Sequence, residues 1–208
     1  MARAATETEA ANGALAEIGE PPIASLDEPR AAARVCKSRF HDVRDALLRE
    51  ADWNFATAWV VPGMDPTPAR GPLKKRYVLP PDCVKVRFVE GLEEDEWALE
   101  ASSVDPTSAP ILGGILVTNA AAPNVCYTRI IQQPVLWDAL FLTVFQKRLG
   151  AAAAPRIGRS QAIAGRLNGE AAALLKPAKR RDSQEKARTQ LPRETSWLAA
   201  RRGGRRPW

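Results

Sequence analysis

The spacing of apolar positions changes part-way along the chain, and the change separates helical from extended stretches. Between residues 28 and 50 the apolar stripe is Ala32, Cys36, Phe40, Val43 and Leu47, spaced by 4, 4, 3 and 4. That spacing lies on one face of a helix and fits no strand. Lys37, His41, Arg44 and Asp45 take the opposite face, Asp27 is placed to cap the helix, and Pro29 suits its first turn. An earlier helix over 3–18 carries Leu15 and Ile18 with Ala11 and Ala14 on one side, and Gly19 as its stop. The segment between them, EPPIASLDEP, has three prolines in ten residues. It reads as an ordered loop anchored by Ile23 and Leu26.

Straight after the long helix, Trp53, Phe55, Trp59 and Val61 all fall at odd positions. This predicts an aromatic strand over 53–61 that joins a helical layer to a β layer, with Trp53, Phe55 and Trp59 as the core of the joint. A Pro/Gly loop follows. Val84, Val86 and Phe88 then alternate with Lys85, Arg87 and Val89, and Trp97 and Leu99 alternate with Glu96 and Ala98, as half-buried strands do. Gly113-Gly114 between Ile111-Leu112 and Ile115–Val117 suggests a tight hairpin, and Val125–Ile131 reads as the last strand. Pro134 opens a third helix to about Ala154, apolar over much of its circumference and so buried on more than one side. A fourth helix runs from about Ile157 to Lys176 on the stripe Ile163, Leu167, Ala171 and Leu174, with Pro177 ending or kinking it.

These elements predict an α+β protein. A bundle of about four helices, from 1–52 and 134–177, holds an inserted antiparallel β domain at 53–133, and a basic, extended C-terminal arm occupies 178–208. The 208 residues suit one domain with an appendage and are enough to bury a sizeable core. No run approaches the ~18 apolar residues of a bilayer span, so no membrane partner is expected. The N-terminus lacks the basic head and apolar stretch of a signal peptide. Cys36, Cys83 and Cys126 are odd in number and widely spaced, which argues against a disulfide framework and against zinc.

The net charge of +6 is unevenly placed. Residues 176–208 carry a net +8, and the rest of the chain a net −2. The tail LPRETSWLAARRGGRRPW has no period, and by itself its composition does not support a fold. Its spread of Trp197, Leu198 and Trp208 among arginines fits a segment that folds onto a partner, either an acidic protein groove or nucleic acid.

Catalytic constellations are missing from the pattern. The single histidine, His41, sits on a polar helix face. The carboxylates of Glu93–Glu96 read as a solvated turn; a muramidase built on Glu94 and Glu96 is the weakest reading. Gly113-Gly114 lacks the helix and lysine of a phosphate loop. No enzymatic activity, cofactor or metal is expected.

Five stretches, in order, resemble one family. They are IGEPPIASLDEP at 18–29, ARVCKSRFHDVRDALLREADWNFAT at 33–57 with its Trp-Asn-Phe-Ala signature, YVLPPDCVKV at 77–86, ILVTNAAAPNVCYTRI at 115–130 and PVLWDALFLTVFQKRLGAAAA at 134–154. Together they are similar to the head-to-tail adaptors of tailed bacteriophages, the tail tubular protein A or head completion group. The resemblance implies a structural virion protein at the head–tail interface, assembled in the host cytoplasm. It implies a ring of about twelve identical subunits, contacts with the portal protein and with a downstream tail, stopper or nozzle protein, and genomic DNA passing through the channel. It also implies a C-terminal segment that inserts into the portal. Trp197, Leu198, Arg201, Arg202, Arg205, Arg206 and Trp208 are its candidate contacts. The alternative is a nucleic-acid-binding module acting through the basic tail.

Overall fold

The computed structural model describes residues 4–69, 71–100 and 114–185, with side chains in the last helix to Pro177. Four helices and seven strands are described in this α+β protein: α1 (Glu7–Ala16), α2 (Ala31–Glu50), β1 (Thr57–Val60), β2 (Gly63–Asp65), β3 (Lys75–Val78), β4 (Cys83–Val89), β5 (Trp97–Glu100), β6 (Ile115–Thr118), β7 (Val125–Arg129), α3 (Ala139–Ala153) and α4 (Gln161–Glu185). The predicted class stands. Of the residues assigned to the extended arm, 178–185 instead continue the last helix, and 186–208 lie outside the described residues.

Helix α3 is the centre of the helical layer. Phe141, Val144, Phe145 and Leu149 are fully buried on it, and α1, α2 and α4 all pack around it. Its apolar circumference follows from that position. A Cβ on Gly150 would sit 2.8 Å from the Ala14 carbonyl oxygen, so α1 and α3 approach where no side chain fits. Lys147 Nζ donates to Glu17 Oε2 at 3.0 Å and to Glu170 Oε2 at 2.7 Å, tying α1, α3 and α4 together. The proline-rich loop is held as expected. Ile23 is buried, and the Asn12 amide exchanges two hydrogen bonds with the Ile23 backbone at 2.9 and 3.0 Å.

The strands form two antiparallel sheets, β1-β7-β4 and β2-β3-β6-β5. Tyr77, Leu79 and Leu116 of the second sheet meet Val86, Val89 and Val125 of the first in a small core of their own. This core is separate from the larger helical one, which also takes in Trp53, Ala56 and Ile131.

Several local expectations are corrected. Helix α1 starts at Glu7, not residue 3, because Thr6 and Glu9 close a reciprocal capping box. Helix α2 starts at Ala31 with Arg30 at the cap position and no side-chain cap; the Asp27 carboxylate instead accepts from Lys37. Arg44, assigned to the polar face, is buried and turns its guanidinium onto Asp45 at 2.7 Å. The strand expected over 53–61 is only Thr57–Val60, because Asn54–Ala56 form a 3-10 turn. In β4, two register shifts break the alternation, so Val86 and Val89 point inward and Phe88 is exposed. Leu99, expected on an inward face, is exposed on edge strand β5. The hairpin expected at Gly113-Gly114 falls largely on residues 101–113, outside the described residues; β6, its second half, pairs with β3 and β5. Pro134 opens a 3-10 turn rather than the helix, and α3 begins at Ala139 because the Asp138 carboxylate accepts from Leu140 N at 2.8 Å. Finally, α4 begins at Gln161, since Ala154–Ile157 is a 3-10 turn closed by left-handed Gly158, and it runs through Pro177 to Glu185. Beyond Pro177 it is carried by helix-favouring Ala, Lys, Arg, Gln and Glu.

Candidate functional site: the joint between the layers

The chain crosses from the helical layer to the β layer between α2 and β1, and returns between β7 and α3. Both crossings are built around a buried tryptophan. Trp53 Nε1 donates to the Leu47 carbonyl at 2.9 Å, one of the carbonyls left without a partner at the end of α2. Trp137 Nε1 donates to the Ile131 carbonyl at 2.8 Å. Each indole therefore reaches back six residues to fasten the segment that leads into the crossing. An indole suits this task because its apolar body fills the core while its N–H satisfies a buried acceptor.

Both indoles converge on Phe141. Its ring centroid lies 5.1 Å from Trp53, 5.0 Å from Phe55 and 5.1 Å from Trp137, all edge-to-face. Phe40 and Phe145 extend the cluster, each 4.9 Å from the other, and Phe145 is 4.9 Å from Trp137. One side chain of the central helix thus contacts both crossings.

A polar clasp completes the first crossing. The Arg87 side chain is only 2% exposed. Its Nε donates to Thr128 Oγ1 at 2.8 Å, one terminal nitrogen to Thr57 Oγ1 at 2.8 Å, and the other to the Trp53 carbonyl at 2.7 Å. Asp52 lies 3.8 Å from the guanidinium and accepts from Lys85 Nζ at 2.9 Å. Arg49, at the end of α2, donates to the Val84 carbonyl at 2.8 Å. The rigid fork of arginine can serve three acceptors at once, which lysine cannot.

Of the aromatics assigned to the joint, Trp53 and Phe55 lie together at 6.1 Å between centroids. Trp59 does not join them. It is 51% exposed, on the outer face of the β1-β7-β4 sheet, and packs edge-to-face on Phe88 at 5.3 Å. The register Trp59–Cys126–Phe88 places the pair over buried Cys126. Sequence reading missed Arg87 and Trp137. Arg87 was placed on the solvent side of a regularly alternating strand, and the bulges next to it are not visible in the pattern. Trp137 was absorbed into an expected helix, although the Pro134 and Asp138 flanking it mark a turn and a cap.

The remaining candidate groups show no convergence. His41 is exposed on α2, and the Glu93–Glu96 turn is exposed, Glu96 Oε2 accepting from Glu93 N at 2.7 Å. Burial pushes the Cys36 and Cys83 thiols up to about 11, which keeps them protonated, and burial with the nearby Asp82 pushes Tyr127 up to about 12. Among the described residues, no three His, Cys, Asp or Glu side chains are grouped to hold a metal, and no helix is long and apolar enough to cross a membrane. Trp197, Leu198, Arg201, Arg202, Arg205, Arg206 and Trp208 lie outside the described residues.

Residues 8–104, which take in nearly all of α1, α2, the first crossing and Arg87, match the family described as tail tubular protein. Over this span the chain is of the phage tail tubular type. The family resemblance read from the motifs is thereby shown. The match supports a structural tail protein of a bacteriophage virion, one that assembles with other virion proteins. None of the curated proteins compared with it matches. The matched span ends before β6, so the second crossing, α3 and α4 lie beyond it.

Proposed function

We propose that this tail tubular protein is a head-to-tail adaptor. Copies of the chain form a ring of about twelve under the portal, extend the channel for the genomic DNA and dock the next tail component. In this reading the bundle of 1–52 and 134–177 packs against neighbouring subunits and the β domain of 53–133 faces the tail. The arm at 178–208 anchors to the portal through Trp197, Leu198, Arg201, Arg202, Arg205, Arg206 and Trp208. The chain has no enzymatic role. The observation that carries the reading is the tail tubular match over 8–104. The clasped joint, whose first crossing lies in that span, supports it, because a connecting part must pass load between two different neighbours without its layers parting.

Deleting residues 191–208 tests the arm. The truncated chain should keep the circular dichroism spectrum and melting temperature of the parent and fail to attach to portal rings. Undiminished attachment would contradict the assignment.

A second reading has one observation in its favour, the net +8 of residues 176–208 with tryptophans among the arginines. It makes the tail a nucleic-acid-binding segment. Retention of duplex DNA by the full chain, lost in the truncated chain and falling steeply with salt, would support it.

A further inference from the structure

The helical layer has two unlike sides. Around α3, Gln146 and Gly150 face α1, whereas Arg148 and Ala152 line a groove of about 370 Å³ between α2 and α4. At about 100° per residue, position 150 is turned ~200° from 148. Helix α1 and the groove therefore lie on opposite sides of the central helix.

The two sides are also chemically complementary. The groove is lined by small and apolar groups, Val43, Ala46, Ala151 and Ala152, and by Arg39, Arg148 and Arg156 with Asp42 and Asn168. Arg156 is exposed and has no carboxylate partner among the described residues. On the other side, Ala4 to Pro29 holds six carboxylates and no lysine or arginine; Glu17, Glu20, Asp27 and Glu28 are paired with basic side chains of their own chain, while Glu7 and Glu9 have no basic partner among the described residues. Glu7 and Glu9 stand in the first turn of α1, and Glu9 and Ala16, seven residues apart, share its exposed side. A helix with alanine on its outward side can approach a groove lined by alanine closely, within the usual 8–10 Å between axes.

We infer that α1 of one copy seats in the α2–α4 groove of the next. The contact is heterologous, since each copy uses two different surfaces on opposite sides, and such contacts build a ring where the repeated rotation closes. The inference rests on the proposed ring and names the surfaces that build it. A second copy fits the groove better than a DNA backbone does. Arg39 and Arg148 already have acidic companions, Asp42 at 3.4 Å and Glu50 at 2.7 Å, and much of the lining is apolar, whereas a phosphate track calls for uncompensated cations.

The test is a disulfide pair in the full chain, Ala16→Cys with Ala46→Cys, both at exposed positions. Under mild oxidation of concentrated protein, the double variant should give a ladder of covalent multimers, while each single variant and the parent give none. Rings seen by electron microscopy without a ladder would overturn this contact and leave the ring reading standing. Absence of any multimer, by microscopy and by sedimentation, would remove both. Arg156→Glu in the double-cysteine background should cut the ladder about tenfold at low salt through like-charge contact with Glu7 and Glu9, with the melting temperature unchanged. If Arg156→Glu instead left the ladder intact and weakened duplex retention, the groove would serve DNA and the proposal would fall.

Discussion

The two crossings between the layers solve the same problem with different means. In each, a tryptophan donates to a carbonyl six residues earlier and lays its ring against Phe141. The second crossing needs little else. Trp137 is fully buried, in contact with Phe40, Phe141 and Phe145, so apolar packing holds it. The first crossing lies beside the sheet, where a buried guanidinium donates to the Trp53 carbonyl and to the hydroxyls of Thr57 on β1 and Thr128 on β7, tying the crossing to both strands. Rings hold the crossing that stays within the helical core, and a charged fork ties down the one that runs beside the sheet.

This difference makes the two crossings separable by mutation. The largest loss is expected from Trp137→Ala, which removes the packing that is the second crossing's main support. About 4 kcal/mol of unfolding free energy should go, as for large buried aromatics generally, read from urea denaturation. Arg87→Met keeps the stem but removes three hydrogen bonds at once, those to the Trp53 carbonyl and to the hydroxyls of Thr57 and Thr128. It should cost about 3 kcal/mol, and Arg87→Lys should recover only part of that loss. If Arg87→Met cost as little as an exposed substitution, the clasp would not be what fastens the first crossing.

A third variant asks whether the helical layer depends on charge away from the joint. The hydrogen bond from Lys147 holds the Glu170 carboxyl below its ordinary 4.5, and the bond to Glu170 raises the Lys147 ammonium above 10.5. A lowered carboxylate contributes stability that is present above 4.5 and is lost as pH falls through its folded value. A raised ammonium contributes stability that is present below 10.5 and is lost as pH rises through its folded value. The melting temperature should therefore hold between these limits and fall outside them. Lys147→Met should flatten the acid side, and an unchanged acid limb would discount the network. The smallest effect belongs to Trp59→Ser, about 1 kcal/mol, since half of that side chain is already in water. A loss as large as that of Trp137→Ala would return Trp59 to the joint.

Much of this architecture was legible in the sequence. The stripe from Ala32 to Leu47 gave α2, and the odd-position aromatics after it marked the joint, because helical period and aromatic density are local signals. Trp59 was misplaced because Asn54–Ala56 insert a 3-10 turn, which changes the face that later residues take. Arg87 and Arg44 were read as solvent-facing because charge is normally exposed. The burial of Arg87 depends on acceptors far along the chain, such as Thr128 forty-one residues later, and Arg44 is buried although its partner, Asp45, is the next residue. The pairing of β6 with β3 and β5 is likewise non-local. The functional reading drew on motif order, and the groove between α2 and α4 had no signature in any single segment.

The central claim is that Phe141, touched by both tryptophans, makes the two layers one cooperative unit. Native-state hydrogen exchange on Phe141→Leu tests it most directly. The protection of α3 amides and of the β6 amides around Leu116, which lie in separate cores, should fall together and by similar free energies. Loss of protection in α3 with β6 unchanged would show that the layers open independently and would contradict the account.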